Sequence, residues 1–194
     1  MDMNIVLIAA SIGGPVALEN ILPKLGKGFP APILIVQHMP AHFSEILADT
    51  LDHKSRLKVK VAENMDNVEK GTVYIAPGGT HMKLDGKNRI YLDGSPPVNG
   101  TRPAADELFS SVADSPGITG VLAVILTGMG SDGAKGLAEL KKKRACFCLA
   151  QSEKTCVVYG MPRAAAENGL ADKILDLDEI PVEMESFDFK YGAE

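Results

Sequence analysis

The sequence predicts an α/β fold, with a doubly wound, mostly parallel sheet and helices on both faces. Three continuous apolar runs, at residues 5–10, 33–37 and 121–126, indicate strands that are buried on both faces of a parallel sheet. Each run leads into a segment with helical features. This alternation of strand and helix favours parallel strands joined by crossover helices.

The helices are recognised by apolar spacing and by the residues at their ends. Pro15 suits the first turn of a helix over 13–22, because its missing N–H has no helical partner there. Residues 43–51 carry an apolar stripe on one helical face. Further helices are expected over 103–113, 133–143, 161–168 and 178–186.

Additional strands are expected between these helices, over 57–61, 72–76, 145–150 and 173–177. The segments 81–84 and 89–92 flank Asp85-Gly86-Lys87-Asn88, which is a hairpin signal. The sheet is therefore expected to be mixed rather than entirely parallel.

Length and composition favour one globular domain. The chain has 194 residues, of which 45% are apolar, and this is enough to bury a sizeable core. A net charge of -5 and the absence of Trp argue against a nucleic-acid partner. No apolar run approaches the ~20 residues of a membrane span, so no membrane insertion is expected. We expect a single domain over residues 1–186 and a loose tail over 187–194.

The three cysteines are Cys146, Cys148 and Cys156. We interpret them as buried free thiols rather than as a metal site. An odd number of cysteines without a disulfide framework fits a reducing compartment, and the start of the chain lacks the basic region of a signal peptide. A cytoplasmic protein is therefore expected.

Three polar side chains follow the three apolar runs. Ser11 comes directly after the first run, His38 after the second, and Asp132 a few residues after the third. Because ligands of open α/β sheets bind outside the carboxyl ends of the strands, these residues are expected to meet at one edge. Their residue types match the nucleophile, base and acid of a serine-hydrolase triad.

Simpler interpretations stand beside this one. Ser11 and Asp132 can each be the N-cap of the helix that follows. The turn from Ser11 to Gly14 can instead bind a phosphate at a helix N-terminus, although a P-loop ending and a full G-x-G-x-x-G are absent. Metal catalysis is disfavoured, because His38 and His42 lack the glutamate of H-E-x-x-H.

Six motifs in order nevertheless resemble one known family. They are Ala10-Ser11-Ile12-Gly13-Gly14-Pro15, Val36-Gln37-His38-Met39-Pro40, Ile75-Ala76-Pro77-Gly78-Gly79-Thr80-His81, Arg102-Pro103-Ala104-Ala105-Asp106, Ile125-Leu126-Thr127-Gly128-Met129-Gly130-Ser131-Asp132-Gly133 and Val157-Val158-Tyr159-Gly160-Met161-Pro162. Over roughly residues 4–180 the set is similar to the catalytic domain of the chemotaxis protein-glutamate methylesterase and protein-glutamine glutaminase family.

The resemblance implies that Ser11, His38 and Asp132 form the triad. It implies hydrolysis of γ-glutamyl methyl esters on the cytoplasmic helices of chemoreceptors, with no cofactor and no metal, and deamidation of glutamine as a further activity. It also places Met129 beside the site, in oxyanion stabilisation. Backbone N–H groups around Ile12 and Met129 are the expected oxyanion donors.

Other residues are expected to line the cleft, namely Gly13, His81 and Arg102. The sequence departs from the family pattern at Ile12, where a threonine is usual, and at Ala104-Ala105, where Ser-Val is usual. Family members usually carry a receiver domain. We expect none in this chain, although a receiver domain or a protein acting in trans can serve as a partner. Two other functions stay open: a phosphate-binding module, and a weakly catalytic scaffold that docks on receptors.

Overall fold

The computed structural model of the chain describes residues 2–190. Its strands are β1 (Met3–Ala10), β2 (Ile33–Gln37), β3 (Lys58–Val61), β4 (Thr72–Ile75), β5 (His81–Leu84), β6 (Ile90–Asp93), β7 (Ile118–Ile125), β8 (Cys146–Gln151) and β9 (Lys173–Leu175). Seven of them form one sheet in the order β3-β4-β2-β1-β7-β8-β9. Every neighbouring pair in that sheet is parallel.

The helices cover both faces of this sheet. They are α1 (Gly14–Ile21), α2 (Ala41–Lys54), α3 (Ala105–Ala113), α4 (Ala134–Lys143), α5 (Met161–Glu167) and α6 (Ile180–Ser186), with short 3-10 turns at Leu22–Lys24, Glu153–Thr155 and Leu177–Glu179. Apolar side chains of α1, α2 and α6 form one buried core, and those of α3, α4 and α5 form the other. The predicted doubly wound α/β fold is thus confirmed.

The hairpin formed by β5 and β6 differs from expectation in its placement. The two strands pair antiparallel with each other and form a separate two-stranded sheet. Met82, Leu84 and Ile90 are buried in the core that α3 also fills. Because its apolar side chains pack against a helix rather than along an edge strand, the hairpin leaves the central sheet entirely parallel.

The centre of the sheet positions the functional site. β1 lies between β2 and β7, and its last six residues are fully buried. From β1 the chain passes through α1 to β2 on one side, and it returns much later to β7 on the other side. The strand order therefore reverses at β1, and such a point forms a crevice at the carboxyl ends of the strands.

The start of the expected loose tail is packed. The ring of Phe187 lies 5.5 Å from that of Phe147 and 4.9 Å from that of Phe189. Phe189 is only 8% exposed and belongs to the core beneath α6. The prediction of a loose tail is therefore wrong for residues 187–190, while 191–194 lie outside the described residues.

The cysteines lead to a prediction about thiol reactivity. All three are free; Cys148 is buried, and the other two are partly buried. Burial raises the pKa of Cys146 to about 12 and that of Cys156 to about 11, and it also raises the pKa of Cys148. Since the thiolate is the reactive form, we expect all three to react slowly with Ellman's reagent at pH ~8. After unfolding, all should react at once, and fast labelling of the native protein would contradict this.

The helices also bear on membrane insertion. Within the part of the chain that the structure describes, none is both long enough and apolar enough to cross a bilayer.

Candidate active site

The three adjacent strands β2, β1 and β7 bring the predicted triad residues together. Ser11 and His38 are the first residues after β1 and β2, and both line one cleft. Asp132 reaches the same place from the loop after β7, and its Oδ2 lies 2.6 Å from Nε2 of His38. The backbone N–H of His38 donates to the carbonyl of Ala10, at 3.0 Å, so the two strand ends are directly tied.

Ser11 is held by its backbone and not by its side chain. Its N–H donates to the carbonyl of Thr127, at 3.0 Å, and its own carbonyl accepts the N–H of Gly14, at 2.8 Å. The N-cap of α1 is Gly13, which has a φ of 83° and receives no side-chain cap. The interpretation of Ser11 as a helix cap is therefore wrong, and its hydroxyl is left for another role.

Close packing leaves room only for glycine at two positions near Ser11. A Cβ added to Gly128 would lie 2.7 Å from Cβ of Ser11, so the backbone of Gly128 lies directly beside that side chain. A Cβ on Gly13 would lie 2.7 Å from Cγ2 of Val157. Both approaches require glycine.

The expected oxyanion donors have no other partner. Neither the N–H of Ile12 nor that of Met129 donates to any described residue. Ile12 lines the cleft with its side chain 46% exposed, whereas the side chain of Met129 is 67% exposed and is not among the residues that line the cleft.

Asp132 is buried and held from three directions. Its Oδ2 accepts the N–H of Ala105, at 2.7 Å, as well as the His38 bond, and its Oδ1 accepts the N–H of Asp106, at 2.9 Å. Burial alone would raise the pKa of this carboxyl, but the bonds from His38 and the two backbone N–H groups outweigh it and leave the pKa below its usual value. Asp132 thus caps α3 rather than α4, whose N-cap is Gly133, and the simpler interpretation fails here too.

Asp106 completes a reciprocal arrangement that the sequence did not reveal. It lies in the first turn of α3, and its Oδ1 accepts the N–H groups of Gly133 and Gly136, at 3.0 and 2.8 Å. Asp106, which lies in α3, therefore caps the start of α4, and Asp132, which lies just before α4, caps the start of α3. Burial, and then the nearby charge of Asp132, raise the pKa of Asp106, although the two glycine N–H groups oppose that shift.

This pair gives a prediction for Asp106→Asn. The amide oxygen keeps both accepted hydrogen bonds, while the cost of burying a charge beside Asp132 disappears. A raised folded-state pKa means that this cost is present at neutral pH and vanishes as the pH falls through that pKa. We therefore expect Asp106→Asn to melt at or above the wild-type temperature at pH ~7, with the difference shrinking towards pH ~4. A large loss of stability at neutral pH would contradict it.

Gln37 is a second residue that sequence reasoning missed. Its side chain is 2% exposed, and its Nε2 donates to the carbonyls of Ser11 and His38, at 2.8 and 3.2 Å. One buried amide thus joins the backbones of two predicted triad residues. Its Oε1 makes no hydrogen bond in the described structure and lies against Gly14, where any Cβ would collide with it.

Thr127 joins the loop that carries Ser11 to the segment after β8. Its hydroxyl donates to the carbonyl of Ile12, at 2.9 Å, and accepts the N–H groups of Val157 and Val158, at 3.1 and 3.0 Å. It is 1% exposed, so these bonds are shielded from water. The threonine of the Thr-Gly-Met-Gly motif therefore holds the loop that carries Ser11.

His81 and Arg102 do not line the cleft. His81 is fully buried; its Nδ1 accepts the N–H of Ala104, at 3.2 Å, and its Nε2 donates to the carbonyl of Pro96, at 3.0 Å. Arg102 donates to the carbonyls of Gly94 and Ser95. Both side chains hold the segment that leads into α3, so the expectation that they form a cleft wall is wrong.

The cleft has a volume of about 460 Å³ and runs from Ser11 and His38 between α1 and α2. Its described lining is mostly apolar and contains no lysine or arginine. Among residues 2–190, no group of three or more His, Cys, Asp or Glu side chains is arranged to hold a metal ion.

A serine, a histidine and a buried aspartate at adjoining strand ends form the kind of site that serine hydrolases use. The order along the chain is Ser, His, Asp, and the Gly-x-Ser-x-Gly of α/β-hydrolases is absent. The chain belongs to the CheB methylesterase family, which it matches over residues 6–184.

Two relatives with curated names support the assignment to this family. The chain is 47% identical over 182 residues to a protein-glutamate methylesterase/protein-glutamine glutaminase of Halalkalibacterium halodurans, covering 92% of this chain and 52% of that protein. It is 48% identical over 180 residues to the protein of that name from Symbiobacterium thermophilum, covering 93% and 49%. The chain therefore spans about half the length of these relatives.

A solved structure from the same family has a similar fold. The crystal structure of the Thermotoga maritima CheB methylesterase catalytic domain superposes with a TM-score of 0.90 at 43% identity, covering 95% of this chain and 98% of that one.

Proposed function

We propose that this chain hydrolyses methyl esters of glutamate side chains on chemoreceptors, as the catalytic part of a protein-glutamate methylesterase. The observation that carries the proposal is the 2.6 Å bond between His38 and buried Asp132, with His38 lining one cleft with Ser11. Membership of the CheB methylesterase family supports the substrate.

The first half of the reaction forms an acyl-enzyme. Oγ of Ser11 attacks the ester carbonyl while His38 takes the hydroxyl proton. Because Nε2 of His38 is engaged by Asp132, Nδ1 is the nitrogen left to accept that proton. The two ring nitrogens thus exchange the parts that they play in chymotrypsin-like proteases.

The tetrahedral intermediate then needs donors for its oxyanion. The N–H groups of Ile12, the residue after Ser11, and of Met129, the residue after Gly128, donate to no described residue and can supply them. His38 returns its proton to the departing methoxide, which leaves as methanol. Water next attacks the acyl-enzyme with His38 as base, which restores Ser11 and releases the glutamate carboxylate. No step uses a cofactor.

Deamidation follows from the same residues. A glutamine amide presents a carbonyl to Ser11 in the same way. His38 passes the serine proton to the amide nitrogen, which leaves as ammonia, and water then hydrolyses the acyl-enzyme to glutamate. We propose this as a second activity of the site, and we place both reactions in the cytoplasm, on the methylated receptor helices.

The phosphate-binding alternative fits less well. A phosphate group needs cationic side chains or several free N–H groups. The described lining of the cleft has no lysine or arginine, and it includes Glu19. Nucleotide binding measured by calorimetry, with no ester hydrolysis, would favour this alternative instead.

The proposal is tested with a polypeptide that contains γ-methyl glutamate. The protein should release methanol and generate free glutamate at that position, as seen by mass spectrometry. A fluorophosphonate, which labels activated serines, should modify Ser11 and no other described serine. If neither turnover nor labelling of Ser11 occurs in a folded protein, the proposal is wrong.

A further inference from the structure

The cleft at the candidate active site continues well past the residues that the chemistry needs. One wall is formed by Ile12, just before α1, and by Pro15 and Glu19 of α1, and the other is a face of α2 with Phe43, Ile46, Leu47 and Thr50. The α2 residues are spaced i, i+3, i+4 and i+7, so they form one stripe about two turns long. We call this part of the cleft the α1–α2 groove.

The groove exposes large apolar side chains that a folded chain normally buries. Ile12, Phe43 and Ile46 are 46%, 46% and 59% exposed. They adjoin one another in a single cleft, whereas Met65 and Val182 are exposed elsewhere. A contiguous exposed apolar surface that is continuous with a reactive site indicates a binding surface.

The walls of the groove favour a helix as the bound segment. Apart from Ile12, the named wall residues belong to α1 and α2, whose helical backbone groups are bonded within the helices, and the groove lies beside β1 and β2 in the middle of the sheet. The sheet edges, β3 and β9, are elsewhere. An extended segment would therefore find no backbone partner, while an amphipathic helix needs none and binds through its apolar face.

We propose that the α1–α2 groove holds the substrate helix itself, on one side of the esterified glutamate. The proposal rests on the proposed function, because the ester must reach Ser11 at one end of the groove. A bound helix would then place apolar side chains three, four and seven residues from the glutamate along α2. At the far end Glu19 and Lys54 form an ion pair at 2.5 Å, which closes the apolar stretch.

The test uses helical peptides of about 20 residues, each with one γ-methyl glutamate. The first leucine peptide carries leucines three, four and seven residues before the esterified glutamate, and the second carries them three, four and seven residues after it. Each has a matched control peptide with glutamines at the same three positions. For one of the two sides, we expect the leucine peptide to have a kcat/KM at least about tenfold above its glutamine counterpart, since burying one leucine is enough for that ratio.

The variant Ile46→Ser should bring this ratio close to one. The matched control Val182→Ser, which also removes an exposed apolar side chain from a helix, should keep it. A ratio near one for both pairs in the wild type, or an unchanged ratio in Ile46→Ser, would overturn the proposal. So would a change in oligomeric state of Ile46→Ser with an unchanged ratio, which would assign the groove to a second copy of the chain.

The small ester p-nitrophenyl acetate separates this proposal from the proposed function. If the wild type hydrolyses it and all the peptides at rates unaffected by leucine, the hydrolase stands and the groove proposal fails. If the wild type hydrolyses none of these esters, the hydrolase fails and the groove proposal fails with it.

Discussion

Alanine at Ser11 or at His38 is expected to remove nearly all ester turnover. The nucleophile and its base act as one unit, so the double variant should be no slower than the slower single variant. In a serine protease such losses are on the order of 10⁶-fold in kcat, which guides the scale here. Single-turnover demethylation measures the effect.

The same variants should stay folded. The Ser11 hydroxyl bonds to no described residue, so its loss costs little, and thermal melting of Ser11→Ala should match the wild type. His38→Ala leaves Asp132 with its two backbone donors and should lower stability modestly. A folded Ser11→Ala that keeps wild-type turnover would show that the reaction does not pass through an acyl-serine.

The sequence predicts where the proposed triad residues lie because their signal is local. Each lies at or just after the end of a continuous apolar run, and such runs mark strands buried in a parallel sheet. Residues at the carboxyl ends of parallel strands share one edge whatever their separation along the chain. The sheet order then places β2, β1 and β7 side by side, which brings His38 and Asp132 into contact across 94 positions.

The residues that support the site have no such signal. Gln37 bonds the Ser11 carbonyl across 26 positions, and Asp106 bonds Gly133 across 27. A glutamine that ends a strand or an aspartate in the first turn of a helix is ordinary in sequence. Their roles depend on how two loops and two helix ends meet, and only the packed structure supplies that.

Two predictions that the structure contradicts, a cleft wall at His81 and a loose tail at 187–190, fail for the same reason. His81 follows a glycine-rich loop, which suggested a cleft wall, but the hairpin packs against α3 and encloses the ring completely. The tail at 187–190 is short and follows the last helix, which is typical of a loose terminus, yet Phe187 and Phe189 pack against each other and against the core that α6 also fills. In both cases tertiary packing overrode a correct local pattern.

Asp132→Asn is expected to be the second most severe change for turnover. The corresponding change in a serine protease costs roughly 10⁴ in kcat, because the amide cannot stabilise the imidazolium. Here turnover should fall for a second reason, because both oxygens of the Asp132 carboxylate accept hydrogen bonds and an amide can replace only one of them. With its nitrogen facing His38, the amide donates to Nε2 and forces the proton onto Nδ1, which then cannot accept the proton of Ser11.

Either orientation of that amide also leaves a buried donor unpaired. If the amide oxygen faces His38 and Ala105, the NH₂ group faces the N–H of Asp106, and two donors oppose each other. If the amide is reversed, the NH₂ group faces the N–H of Ala105 instead. Losing a buried hydrogen bond in this way costs about 1–3 kcal/mol, so Asp132→Asn should be less stable than the wild type at neutral pH.

The pH dependence of that difference tests the argument. Because the folded-state pKa of Asp132 is below its ordinary value of 3.8, its contribution to stability is present above that value. It is lost as the pH falls through the lowered pKa, so the two proteins should converge in acid. Asp106→Asn is the matched control: it neutralises the neighbouring carboxylate, keeps its accepted bonds and should retain turnover. If Asp132→Asn turns over substrate like the wild type, the catalytic unit is a Ser11–His38 pair and Asp132 serves only to cap α3.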